Sequence, residues 1–105
     1  MQTVQLNYAH FAMTETIQQL IKANEAYKNG NLDEVLAILD DERFNENIQA
    51  QFLKGETCYK LQKWGEALNY FLICSEMDPS NMNAKTYIEM IRNILGFRNT
   101  DFLNP

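Results

Sequence analysis

The stretch YKLQKWGEAL, Tyr59 to Leu68, restates an earlier one, YKNGNLDEVL, Tyr27 to Leu36, with Tyr, Lys, Glu and Leu held in the same places. The two lie 32 residues apart. That is the length of two short helices and a turn, too long for a heptad or a hairpin, and repeats of that period are usually stacking units. Aligning residues 19–36 with 51–68 adds the identities Gln19/Gln51 and Lys22/Lys54. It also adds pairs of like character: Leu20/Phe52, Ala23/Gly55, Ala26/Cys58, Leu32/Trp64, Val35/Ala67 and Leu39/Phe71. Each copy reads as a helical hairpin that cannot bury its apolar face alone, so two of them stack.

Outward from the echo, the chain parses into five helices. The first twelve residues alternate Val4, Leu6 and Tyr8 in a strand-like way, and a capping box at Thr16 and Gln19, or Thr14 as N-cap, predicts that the first helix starts only there. Folded structure is thus expected from near Met13, with residues 1–12 a mobile arm or the product of an upstream translation start. The first helix runs to about Asn29, and Gly30 in NGN can turn the chain with a positive φ. Leu32, Val35, Leu36 and Leu39 then mark one stripe of a second helix. Asn45 or Asn47 can cap a third, about Ile48 to Leu61.

The fourth helix, WGEALNYFLICSEM, is apolar over most of its circumference and is expected to be the most buried. Asp78-Pro79 ends it. Ser80 or Asn81 can cap a fifth, about Met82 to Leu95, striped by Tyr87, Ile88, Ile91, Ile94 and Leu95. Glu89 stands where a small crossing residue would be in a paired helix, so the fifth reads as a cap.

Gly55, Ala67-x-x-x-Phe71 and Asp78-Pro79, with Ala23, Gly30, Val35 and Leu39 in the first copy, make the chain resemble the tetratricopeptide repeat family. The ending AKTYIEMIRNIL looks like the closing helix of its small bacterial two-repeat members. The resemblance implies an all-α fold of two TPR-like hairpins plus a capping helix in a right-handed superhelical stack. Its parts are an arm (1–13), repeat one (about 16–47), repeat two (about 48–81), a cap (about 82–96, closing a domain that spans 14–96) and a tail (97–105). There are departures. The first unit is shortened after Leu39 and has Asn47 where members carry proline, and Gln19, Lys22, Gln51 and Lys54 occupy places where members more often carry large apolar side chains.

Composition fits a helical globular protein, 46% hydrophobic and 22% charged with only four Gly and two Pro. A net charge of −5 and no Lys/Arg run argue against nucleic acid or an anionic membrane as partner, since phosphates need a positive face. Cys58 and Cys74 form no CxxC and read as reduced, buried thiols of a cytoplasmic protein. No signal peptide or membrane span is visible.

Catalysis has little to build on. His10 is the only histidine, so no multi-histidine metal site is possible, and the four glycines are too scattered to cradle a phosphate. No cofactor, metal or catalytic residue is expected, and the chain reads as a non-enzyme. The resemblance implies instead a concave groove lined by the first helix of each unit. Its row runs Ile17, Leu20, Asn24 and Tyr27, then Gln49, Phe52, Glu56 and Tyr59, then Asn83, Thr86 and Met90. Tyr27, Phe52 and Tyr59 suit groove or core equally. Lys28 and Lys60 recur at its edge, placed to meet a carboxylate or to stay solvated.

Some members hold chaperone tails with Lys, Asn and Arg. Here Asn24 matches one of these, but Leu20, Leu53, Asn83 and Tyr87 replace the others. The expected function is therefore a protein-interaction module binding a peptide or partner helix, as a monomer or weak homodimer. The rival is a self-associating scaffold using apolar surface in Met1–Phe11, Phe97 or Phe102.

Overall fold

The computed structural model describes residues 2–98, with side chains from 11 to 96. It contains α1 (Gln2–Lys28), α2 (Leu32–Leu39), a 3₁₀ turn (Glu42–Phe44), α3 (Ile48–Lys60), α4 (Trp64–Met77) and α5 (Met82–Arg98). No strand occurs among the described residues. Each helix packs on its sequence neighbour, and α3 also touches α1.

The repeat is visible in the backbone. Each hairpin turns through the same pair of hydrogen bonds: Asn31 N to the Ala26 carbonyl and Gly30 N to the Tyr27 carbonyl in the first, Lys63 N to Cys58 and Gln62 N to Tyr59 in the second. This is the Schellman ending, which needs one left-handed residue after the helix. Gly30 supplies it at φ +78°, as its sequence context leads one to expect, and Gln62 supplies it at φ +61° despite its side chain.

Four expectations need correction. The first helix does not start at Thr14 or Thr16. It begins at Gln2, so Val4, Leu6 and Tyr8 lie within it and not in an extended segment. No Gly or Pro precedes Gly30 to break the ladder, and the Thr16 hydroxyl donates back to the Ala12 carbonyl at 2.9 Å instead of capping. The first helix's stripe is also narrower than its sequence indicates. Leu20, Ala23 and Ala26 are buried against α2, whereas Ile17 and Ile21 are 53% and 52% exposed.

The run LDEVLAILDDE, Leu32 to Glu42, predicts a second helix through Asp41 and Glu42, but α2 stops at Leu39, six residues shorter than its counterpart α4. In place of the missing turns, the 3₁₀ segment drives Phe44 into the first core beside Leu39, Ala50 and Leu53. The most buried helix is α3 and not α4. Its Ala50, Gln51, Leu53, Lys54, Gly55, Thr57 and Cys58 are all inside, because it lies between the first hairpin and α4.

The buried positions of Gln51 and Lys54, 4% and 9% exposed, have local reasons. Gln51 Nε2 donates to the carbonyl of Asn45 (3.0 Å), satisfying backbone left open by the 3₁₀ turn, and shares the Phe44 carbonyl (3.3 Å) with Asn47 N. Lys54 lays its stem through the core and holds Nζ 5.4 Å from the Tyr70 ring centroid. Their echoes on α1, Gln19 and Lys22, are half-buried and exposed.

Asn47 and Asn81 cap α3 and α5, accepting from Ala50 N and Ala84 N at 3.0 Å each. Residues Ile88 and Ile91 of α5 close the second core, while Glu89, Arg92 and Asn93 face water, as a cap requires.

A groove across the odd-numbered helices

Three cavities run along α1, α3 and α5, and neighbours share lining residues. The first, about 380 Å³, lies between Met13, Ile17 and Leu20 of α1 and Asn47 and Gln49 at the start of α3. A second, about 430 Å³, continues from Gln49 past Asn24, Phe52 and Glu56 to Asn81 and Asn83. The third, about 420 Å³, is bounded by Phe52, Glu56 and Tyr59 on one side and Asn83, Thr86, Tyr87 and Met90 on the other. None of the three is lined by α2 or α4.

Most of the row read from the sequence is therefore brought together: Ile17, Leu20, Asn24, Gln49, Phe52, Glu56, Tyr59, Asn83, Thr86 and Met90 all line the trough. Tyr27 does not. Its half-buried ring lies against the first core, with Lys60 Nζ 4.1 Å from its centroid. Lys60, which the sequence placed at the groove's edge, thus ties α3 to α1 through a cation–π contact. Phe52 and Tyr59 serve both roles, half-buried against the second core and lining the cavities.

The groove row read from the sequence omits Tyr87, which falls in the core stripe of α5 and enters the groove only as a departure from the tail-holding set. Asn83, Tyr87 and Met90 recur at i, i+4 and i+7, so the shared face was there to be read. The Tyr87 ring stacks on Phe71 (centroids 4.4 Å apart, 4° between planes) and meets Tyr59 and Phe52 edge-on at 5.2 and 5.8 Å. Its hydroxyl donates to Glu56 Oε2 at 3.2 Å.

Burial pushes the Glu56 carboxyl above the usual carboxylate range, opposed by that hydrogen bond and by Lys60. Burial, followed by the Glu56 charge, pushes the Tyr87 hydroxyl up to about 12. On the opposite side, a cavity of about 280 Å³ lies between Asp40, Lys54, Cys58, Lys63, Glu66 and Tyr70.

Among the described residues no group of His, Cys, Asp or Glu is arranged to hold a metal, and no helix is long and apolar enough to cross a membrane. His10 has a side chain outside the described ones.

Paired hairpins turning identically, Gly55 of α3 packed directly against the Phe71 ring of α4, and a trough along alternate helices define a tetratricopeptide-type repeat protein, a class that in general mediates protein–protein interaction as a non-enzymatic scaffold. The family model described as anaphase-promoting complex, cyclosome, subunit 3 matches residues 7–74, and the chain belongs to this family of repeats. No curated protein and no solved structure matches the chain.

Proposed function

We propose that the chain is a non-enzymatic interaction module whose trough along α1, α3 and α5 holds an extended peptide or a helix of another protein. One observation carries this: three adjoining cavities of about 380, 430 and 420 Å³ mix aromatic, apolar and amide side chains on one side of the stack. Such a surface offers apolar anchorage with polar groups to fix register. Ile17 and Met90 are exposed trough residues outside both cores, so Ile17→Glu with Met90→Glu should leave the fold intact. A partner bound by the native protein should be lost by this double variant. Undiminished binding of that partner by the folded variant would refute the reading.

A second reading is favoured by Phe11, Met13, Ile17 and Ile21, which leave α1 with large apolar side chains 52 to 67% exposed. Two copies pairing through α1 would cover them. Of Phe97 only the backbone is described, and Met1 and Phe102 lie outside the described residues. Light scattering over a concentration series decides: a mass that stays monomeric at the highest concentration removes this reading.

A further inference from the structure

The centre of the trough carries a carboxylate that forms no ion pair among the described residues, although the Lys60 charge lies close enough to act on it. Glu56 lines both the 430 and the 420 Å³ cavities, and its Oε2 is held by the Tyr87 hydroxyl at 3.2 Å. Among the described residues no Lys or Arg lies within ion-pair distance of it. The one basic side chain a turn away on α3, Lys60, is engaged with the Tyr27 ring at 4.1 Å.

Around the carboxylate stand three aromatic side chains. Phe52 and Tyr59 precede and follow Glu56 by one turn on the same helix, and Tyr87 faces it from α5. The rings are fixed: Tyr87 stacks on Phe71, and Tyr59 meets both Tyr87 and Trp64 edge-on. The remaining polar lining of these two cavities is neutral, the amides Asn24, Gln49, Asn81 and Asn83 and the Thr86 hydroxyl.

A half-buried anion attracts a cation by charge, and an aromatic lining adds the attraction of ring quadrupoles wherever the cation meets a ring face. Burial already raises the Glu56 carboxyl, so an incoming cation would relieve an existing cost. The chain's net charge of −5 steers in the same sense. We infer that the trough recognises a basic segment of its partner, with one arginine or lysine head seated on Glu56 between Phe52, Tyr59 and Tyr87.

This inference rests on the interaction reading above but can fail separately from it. Two measurements test it, both on the full chain and on Glu56→Gln, which keeps an acceptor for the Tyr87 hydroxyl. In the first, N-acetyl-argininamide is titrated against the uncharged isostere N-acetyl-citrullinamide, following the Glu56 side-chain carbonyl carbon and the Tyr59 and Tyr87 ring resonances by NMR. Saturable shifts with the arginine compound alone, lost in Glu56→Gln, are expected. Equal responses to both compounds, or none to either, would overturn the proposal.

In the second, displayed random dodecapeptides are selected on each protein. Sequences enriched in Arg or Lys, binding Glu56→Gln at least about ten-fold more weakly, are expected. Neutral or acidic peptides that bind both proteins alike in the trough would sink the cationic site and leave the interaction reading standing. Argininamide binding at Glu56 with no peptide selected would uphold the cationic site and count against the peptide trough.

Discussion

Gly55 lies directly under the ring of Phe71: a Cβ added at Gly55 would sit 2.8 Å from both Cε1 and Cζ of that ring. The ring cannot retreat, because Tyr87 is stacked on it at 4.4 Å. Gly55→Ala should therefore destabilise the protein by about 1–3 kcal/mol, the usual range for overpacking a close crossing. Urea denaturation checks this. Gly55→Ala with Phe71→Leu should lose less than the sum of the two single variants, because the smaller side chain makes room for the methyl group.

The two turns are equivalent in geometry and opposite in residue choice, so substitution there should change stability in opposite directions. Gln62 holds φ +61° with a side chain that disfavours it, and Gly30 holds φ +78° without one. Gln62→Gly should stabilise by about 1 kcal/mol, with the gain reduced by the extra freedom of the unfolded glycine. Gly30→Ala should destabilise by a similar amount even though nothing lies within 4 Å of the added atom. Thermal melts of the two variants test the pair, and changes of the same sign would contradict the shared left-handed turn.

Gln51 is buried beside the 3₁₀ turn, where it satisfies the Asn45 carbonyl and shares the Phe44 carbonyl with Asn47 N. Gln51→Leu would add apolar contact and remove the buried, unpartnered Oε1, but it would orphan the Asn45 carbonyl, at a net cost of about 1 kcal/mol. The equivalent Gln19→Leu, at a half-buried site on α1, should be close to neutral. Comparing the two midpoints in urea separates a general dislike of leucine at this repeat position from the loss of the turn's partners.

The sequence made the repeat legible because a 32-residue period repeats chemistry as well as shape: Tyr27 and Tyr59 end helices, and Leu32 and Trp64 begin them. The groove row was what the resemblance to the repeat family implied, and helical spacing added that Phe52, Glu56 and Tyr59 on α3, or Asn83 and Met90 on α5, share a face. What escaped were features set by neighbours. Tyr27 left the trough because it packs against the first core beneath Lys60, a tertiary contact with no sequence signature. The burial of α3 over the more apolar α4 reflects its place in the stack, which hydrophobicity alone does not encode. Phe44 in the core reflects an irregular turn that interrupts helical periodicity.

Acids raised by burial set an alkaline limit on the fold: the Cys58 and Tyr70 groups are pushed up, and the Cys74 thiol and half-buried Tyr87 hydroxyl most strongly. Burial pushes the Cys74 thiol from its ordinary 9.0 to about 11. Burial and the Glu56 carboxylate push Tyr87 from 10.0 to about 12. Both folded values lie above the unfolded ones, so across these windows the native state holds more protons. Stability is then complete below about pH 9 and declines as pH rises towards 12. Urea midpoints should fall progressively over that range, and Cys74→Ala should flatten the first part of the decline. A midpoint unchanged up to pH 11 would contradict the burial of both groups.

Glu56 gives the opposite test at acid pH. Its folded value is raised above the ordinary 4.5, with burial outweighing the Tyr87 hydrogen bond and the Lys60 charge. On its own account, Glu56 therefore destabilises the fold once it is ionised. That cost is absent below about pH 4.5 and is fully present once pH passes the folded value. Glu56→Gln keeps the acceptor for Tyr87 and removes the charge, so at pH 7 it should be at least as stable as the native chain. The advantage should shrink as pH falls and vanish below 4.5. Paired urea titrations at neutral and acid pH measure the difference, and a Glu56→Gln chain less stable at pH 7 would mean that the carboxylate supports the fold. The expected result, a carboxylate that costs stability in the middle of the trough, is what a binding group held ready for a cation would show.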